Sequence, residues 1–166
     1  LGTTTTFTSQ IAGTGTFAAT GGGTAVFAGQ NIYTGGTTIS NASTLIVGTA
    51  GSAGQAGTGN FTLTSAAAPG STLNFFNLAN TTVNGNIDGT AGNNTVRSTS
   101  AQTIQLNGAI TNTGGTVGVT QDGAGTLILA NVGNTYTGVT AVNTGILIAA
   151  TNNALGGVAG GTTVAN

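Results

Sequence analysis

The chain has 166 residues, enough for one domain with a real core, yet only three of them carry charge: Asp88, Arg97 and Asp122. One arginine cannot neutralise a run of phosphates, so nucleic-acid binding is excluded, and a polybasic membrane patch with it. The absence of His and Cys removes zinc sites of the usual kind, and without His or Lys no ordinary base exists to activate a Ser or Thr nucleophile.

What remains is polar but uncharged, with 36 threonines and 31 glycines. Disordered chains pair low hydrophobicity with high net charge or many prolines. This one is 38% apolar and has a single proline, Pro69. Along the chain the apolar residues come in short bursts: Ala25-Val26-Phe27, Leu45-Ile46-Val47, Leu73 to Phe76, Leu127-Ile128-Leu129 and Ile146-Leu147-Ile148. Each burst is strand-sized and flanked by Gly, Asn or Thr. No window is free of such breakers for the roughly ten residues a helix needs, and no run approaches the roughly 18–20 apolar residues of a membrane-spanning helix. Asn84-Gly85, Asp88-Gly89, Asn107-Gly108, Gly35-Gly36, Gly114-Gly115 and Gly156-Gly157 read as turns. No charged stretch precedes an apolar one at the start, so the sequence reads as a mature product or an excerpt.

Two stretches repeat. Gly23 to Gly48 aligns with Gly125 to Ala150, the first and last blocks at an offset of 102 residues. The shared skeleton is Gly-Thr, three apolar residues, an Asn, Tyr-Thr-Gly, a Thr, an Asn and three more apolar residues. Wider copies lie around 11–64 and 110–166. Turn dipeptides also suit an antiparallel sandwich, but a repeat favours a solenoid, in which each coil touches only its neighbours. The expected architecture is all-β, a right-handed parallel β-solenoid with no α-helix, continuous over 1–166. Coils of roughly 20–25 residues give about seven or eight rungs. Inward rows would stack Val, Ile, Leu and Phe, and Asn amides would ladder between rungs. Stacked like charges would repel at the strand spacing, so a near-uncharged chain suits the stack.

These residues resemble the passenger-associated repeat of bacterial autotransporters. The second copy carries the resemblance closely, in Gly123-Ala124-Gly125-Thr126-Leu127-Ile128-Leu129, Asn134-Thr135-Tyr136-Thr137-Gly138-Val139-Thr140 and Val142-Asn143-Thr144-Gly145-Ile146-Leu147. The first is looser, with Ala25 for Leu and Ile32 for Thr, and Asn153-Ala154-Leu155-Gly156 resembles the turn that often follows the repeat. The resemblance implies a β-helical passenger, extracellular or at the bacterial cell surface and associated with the outer membrane. The signal and the C-terminal membrane barrel of such proteins are not in this sequence, which reads as a segment of something longer.

Candidate chemistry is sparse. Asp88 and Asp122 are the only carboxylates for a glycosidase-like pair; both precede Gly and read as turn formers. No catalytic residue, cofactor site or metal site is assigned, and the chain is not expected to be an enzyme. Tyr33 and Tyr136 hold equivalent repeat positions, either as exposed aromatics for sugar or surface contact or as corner residues packed against a neighbouring rung. Phe75 and Phe76 cannot both point inward on a regular strand, and an outward Phe could seed self-association. The expected role is a stiff surface scaffold or fibre unit with homotypic end-to-end or lateral contacts. A glycan-binding adhesin module, or the stalk of an enzyme or toxin whose active part lies elsewhere, is the alternative. No nucleic acid and no membrane insertion by this segment are expected.

Overall fold

The computed structural model describes residues 2–165. In chain order the strands are β1 (Thr4–Phe7), β2 (Phe17–Ala19), β3 (Thr24–Phe27), β4 (Thr37–Ser40), β5 (Thr44–Val47), β6 (Phe61–Thr64), β7 (Thr72–Phe75), β8 (Thr81–Val83), β9 (Ile87–Ala91), β10 (Asn93–Ser98), β11 (Thr103–Leu106), β12 (Ile110–Asn112), β13 (Thr116–Gln121), β14 (Thr126–Leu129), β15 (Thr140–Val142), β16 (Ile146–Ala149) and β17 (Thr162–Val164). There is no helix among the described residues.

Every pair of neighbouring strands is parallel, and the strands form three sheets. The longest, β1-β3-β5-β7-β10-β13-β15-β17, runs through every turn of the molecule. A five-stranded sheet, β2-β4-β6-β9-β12, covers a second side, and a four-stranded sheet, β8-β11-β14-β16, a third. The steps along the long sheet run from 20 residues, Thr4 to Thr24, to 28, Thr44 to Thr72. The result is a parallel β-solenoid of about seven turns, and the competing antiparallel sandwich is excluded.

Alternation along each short strand explains why three consecutive apolar residues fit. In β5, Leu45 and Val47 are buried while Thr44 and Ile46 face outward. Register then stacks like on like. Leu45, Leu73, Val96 and Val119 form one inward row, all fully buried. A second inward row runs Phe7, Phe27, Val47, Phe75, Ser98 and Gln121, so this row turns from aromatic to polar toward the C-terminal end. Outward, Thr4, Thr24, Thr44, Thr72 and Thr95 form a column. The side-chain period of two makes such rows inescapable once the register is set.

One corner position, repeated from rung to rung, can be filled only by glycine. Gly15, Gly35, Gly59, Gly85 and Gly108 each stand two residues before a strand of the five-stranded sheet, and they stack corner over corner. A Cβ on Gly35, Gly59, Gly85 or Gly108 would fall 2.0 to 2.3 Å from the carbonyl oxygen of the glycine one rung below. This is close backbone approach rather than unusual φ.

Two expectations need correction. Asp88-Gly89 is not a turn: both residues lie inside β9, where the backbone of Gly89 leaves room for Val117 of the next rung. Asparagine amides seldom ladder onto one another. Asn107 Nδ2 does donate to Asn84 Oδ1 at 2.9 Å. More often the amide bonds the backbone of an adjacent rung, as where Asn60 Oδ1 accepts from the Asn86 N–H and Asn86 Oδ1 from the Ala109 N–H. The corner backbone leaves those groups outside the strand ladders, and a carboxamide satisfies them.

Candidate functional site: a buried Asn-Tyr-Thr staple in each repeat

The two repeats carry the same buried cluster. In the first, Asn31 Oδ1 accepts from the Ile11 N–H at 2.8 Å while Nδ2 donates to the Gln55 carbonyl at 2.8 Å. In the second, Asn134 Oδ1 accepts from the Ile110 N–H at 2.8 Å and Nδ2 donates to the Ala154 carbonyl at 2.9 Å. Each asparagine thereby ties its own rung to the one before and the one after. Asn94 makes a similar link, accepting from the Ser71 N–H at 3.1 Å and donating to the Ala91 carbonyl at 2.9 Å, with a longer contact to the Thr116 carbonyl.

Two residues beyond each staple asparagine stands a tyrosine. Tyr33 Oη shares a hydrogen bond of 2.5 Å with Thr37 Oγ1, and Tyr136 Oη one of 2.8 Å with Thr140 Oγ1. All four side chains are buried. The rings lie against glycine of the next rung: a Cβ on Gly57 would come within 2.7 Å of the Tyr33 ring, and one on Gly156 within 2.8 Å of the Tyr136 ring. Next-rung amides close the corner, Thr58 N donating to the Tyr33 carbonyl and Gly157 N to that of Tyr136. Burial raises the pKa of both phenols above the ordinary 10.0, and the bonds to Thr37 and Thr140 pull them back in part. Both phenols are neutral at physiological pH.

The burial of Tyr33, Tyr136 and Phe75 corrects their reading as surface contacts: none presents its ring to solvent. Tyr33 joins an aromatic cluster, 6.4 Å from Phe17 and 6.2 Å from Phe27 between ring centroids. Phe75 points inward and Phe76 outward, as strand geometry requires. Phe76 is half-buried beside Val26, Ile46 and Asn74 in a shallow outer depression. The two carboxylates are both engaged between rungs. Asp88 accepts from Thr111 Oγ1 at 2.9 Å, Thr113 N at 3.1 Å and Thr113 Oγ1 at 2.7 Å. Asp122 pairs with Arg97 at 2.5 Å and accepts from Asn143 Nδ2 at 2.6 Å. Asp88 lies inside β9 rather than in a turn, Asp122 stands at the corner between β13 and β14 as a turn former would, and each has its own partners rather than the other carboxylate.

The staple asparagines were missed from sequence because an Asn beside a Gly-rich corner reads as a turn former. The available signal was the shared Asn-x-Tyr-x-x-x-Thr spacing, at Asn31, Tyr33 and Thr37 and again at Asn134, Tyr136 and Thr140.

The family model described as passenger-associated-transport-repeat matches residues 17–47 and 119–149, and each match encloses one complete staple. The chain carries two passenger-associated-transport-repeats. It is also similar to a protein described as an adhesin autotransporter, BmaC, of Brucella suis biovar 1 (strain 1330), at 35% identity over 153 residues. That alignment covers 87% of this chain but 4% of the relative, so the chain spans a small part of the protein it resembles. No solved structure matches. Autotransporter passengers with this repeat imply a cell-surface or secreted location. In the repeat, the Asn-x-Tyr-Thr-Gly-x-Thr segment supplies the staple, and the flanking apolar triplets supply the sheets.

Proposed function

We propose that this chain is a non-enzymatic, rigid length of an adhesin-like passenger, a spacer that carries other parts of a surface protein away from the cell. The observation that carries the reading is the long sheet, whose eight parallel strands run unbroken through every turn. Hydrogen bonds along such a stack lie parallel to the rod axis, so bending it strains many at once. Seven steps at about 4.8 Å give a rod of roughly 34 Å. The near absence of charge supports close stacking, since like charges one strand apart would repel. The placement of the single trypsin-type site supports an exposed life: Arg97 lies inside β10, which is paired on both sides. The likeness to an adhesin supports the surface setting.

Inserting the chain into a displayed autotransporter passenger tests this. The expected result is that a distal tag moves outward by roughly 34 Å and that the inserted segment resists trypsin until heated. Ready cleavage after Arg97 in the folded insert, or no gain in height, would overturn the spacer role.

A further inference from the structure

The four-stranded sheet stops in the middle of the rod. Its first strand, β8, has no strand on its N-terminal side, where the preceding rung offers the irregular segment 53–58 instead. No backbone hydrogen bond joins that segment to Thr81–Val83. A groove of about 340 Å³ lies along this break, lined by Gln30, Gln55, Asn80, Thr81 and Thr82 over Ala53, Gly54 and Ala79. That volume falls in the range of small-ligand pockets, roughly 300–1,000 Å³.

The groove is built rather than slack. Gln30 and Gln55 form a parallel bridge, and the Gln30 side chain donates to the Ala53 carbonyl. Beneath it, buried Asn77 donates to the carbonyls of Val47 at 2.8 Å and Gly54 at 2.9 Å and accepts from Thr81 Oγ1. Asn80 Oδ1 is held by the Thr103 N–H at 3.0 Å, which leaves its Nδ2 free. The Gln55 carboxamide and the Thr82 hydroxyl are exposed and make no hydrogen bond within the chain.

We propose that this groove binds a neutral oligosaccharide. The lining offers carboxamides and hydroxyls, which both donate and accept, above small apolar side chains that suit the C–H faces of a sugar. It holds no charged residue, and the one arginine, Arg97, is paired with Asp122, so phosphorylated or acidic ligands have no counter-charge. An added peptide strand does not fit. On either side the same two rungs are hydrogen-bonded at one strand spacing, through Phe76 N to the Val47 carbonyl at 2.8 Å and Phe61 N to the Asn86 carbonyl at 2.7 Å. Interposing a strand would need twice that spacing. A ligand must therefore lie across the break from outside.

The test is a nuclear magnetic resonance titration of the labelled chain. The probes are cellotetraose, mannotetraose and N-acetylchitotetraose, with tetragalacturonate and an uncharged Thr/Asn hexapeptide as competing classes. The expected result is saturable shifts centred on Gln30, Gln55, Asn80 and Thr82 with at least one neutral sugar. A Gln55→Ala/Thr82→Val chain should lose more than tenfold in affinity with its melting temperature unchanged, while Thr38→Ala on the five-stranded sheet should bind as before. No saturable shift with any neutral probe overturns the proposal. So do shifts centred elsewhere, binding that survives the double substitution, or tighter binding of the uronate or the peptide. The spacer role does not depend on this groove: its own test is tag height and trypsin resistance, so a null titration removes the groove alone.

Discussion

Thr37 and Thr140 receive equivalent tyrosine hydroxyls, yet they stand in different sheets. Thr37 belongs to β4 of the five-stranded sheet and Thr140 to β15 of the long sheet. The burst before each staple shifts likewise, from β3 in the long sheet to β14 in the four-stranded one. The two repeats share one local structure, presented one side further round the solenoid. Between them lie turns with three strands each, β8 to β13, where the turns of the first repeat have two.

Removing one phenol hydroxyl tests the staple directly. Tyr136→Phe leaves the Thr140 hydroxyl buried without its partner, at a cost of about 1–2 kcal/mol. For a chain of this size that lowers the melting temperature by roughly 2–8 °C, measurable by calorimetry. An unchanged melting temperature would show that the hydrogen bond adds nothing net.

Asn134→Ala should be costlier. It orphans the Ile110 N–H and the Ala154 carbonyl together, for about 2–4 kcal/mol. Hydrogen exchange should show the last turn opening first, since Ala154 lies in it. Uniform loss of protection along the rod would contradict a local staple.

The glycine corner predicts a sharp contrast between two chemically identical substitutions. Gly85→Ala places a Cβ 2.3 Å from the Gly59 carbonyl oxygen and should cost about 2–3 kcal/mol or prevent folding. Gly51→Ala meets nothing within 4 Å and should change stability by no more than about 0.5 kcal/mol. Denaturant midpoints of the two variants check this.

Alkaline pH should loosen the rod through its tyrosines. Burial raises both folded pKa values above 10.0, so the folded chain keeps these protons where the unfolded chain loses them. The contribution is present in full below about pH 10 and is lost as pH rises through the folded values. Melting temperature against pH should therefore bend downward above about pH 10, and the bend should vanish in a Tyr33→Phe/Tyr136→Phe chain.

Arg97 and Asp122 form the only ion pair among the described residues, with Arg97 half exposed. Solvent and salt screen such a pair, so Arg97→Gln should cost under about 1 kcal/mol. A larger loss, insensitive to salt, would mark the pair as structural.

The class of architecture is legible in the residues alone. Short apolar bursts such as Leu45-Ile46-Val47, cut by Gly and Asn, allow strands and forbid helices, and the recurrence of Tyr-Thr-Gly requires repeated local structure. A strand's alternation also required that Phe75 and Phe76 not both point inward, and the structure turns Phe75 in and Phe76 out. The tertiary structure alone decided which side of the rod each repeat occupies. That depends on how many strands the intervening turns contain, and corner segments of similar composition either pair, as β8 does with β11, or stay irregular, as 53–58 does. It alone buried Tyr33 and Tyr136, because the space for each ring comes from a glycine one rung away, Gly57 or Gly156, about twenty residues distant in sequence. Local pattern fixes what a segment can be; the neighbour supplied by the coil above or below fixes what it touches.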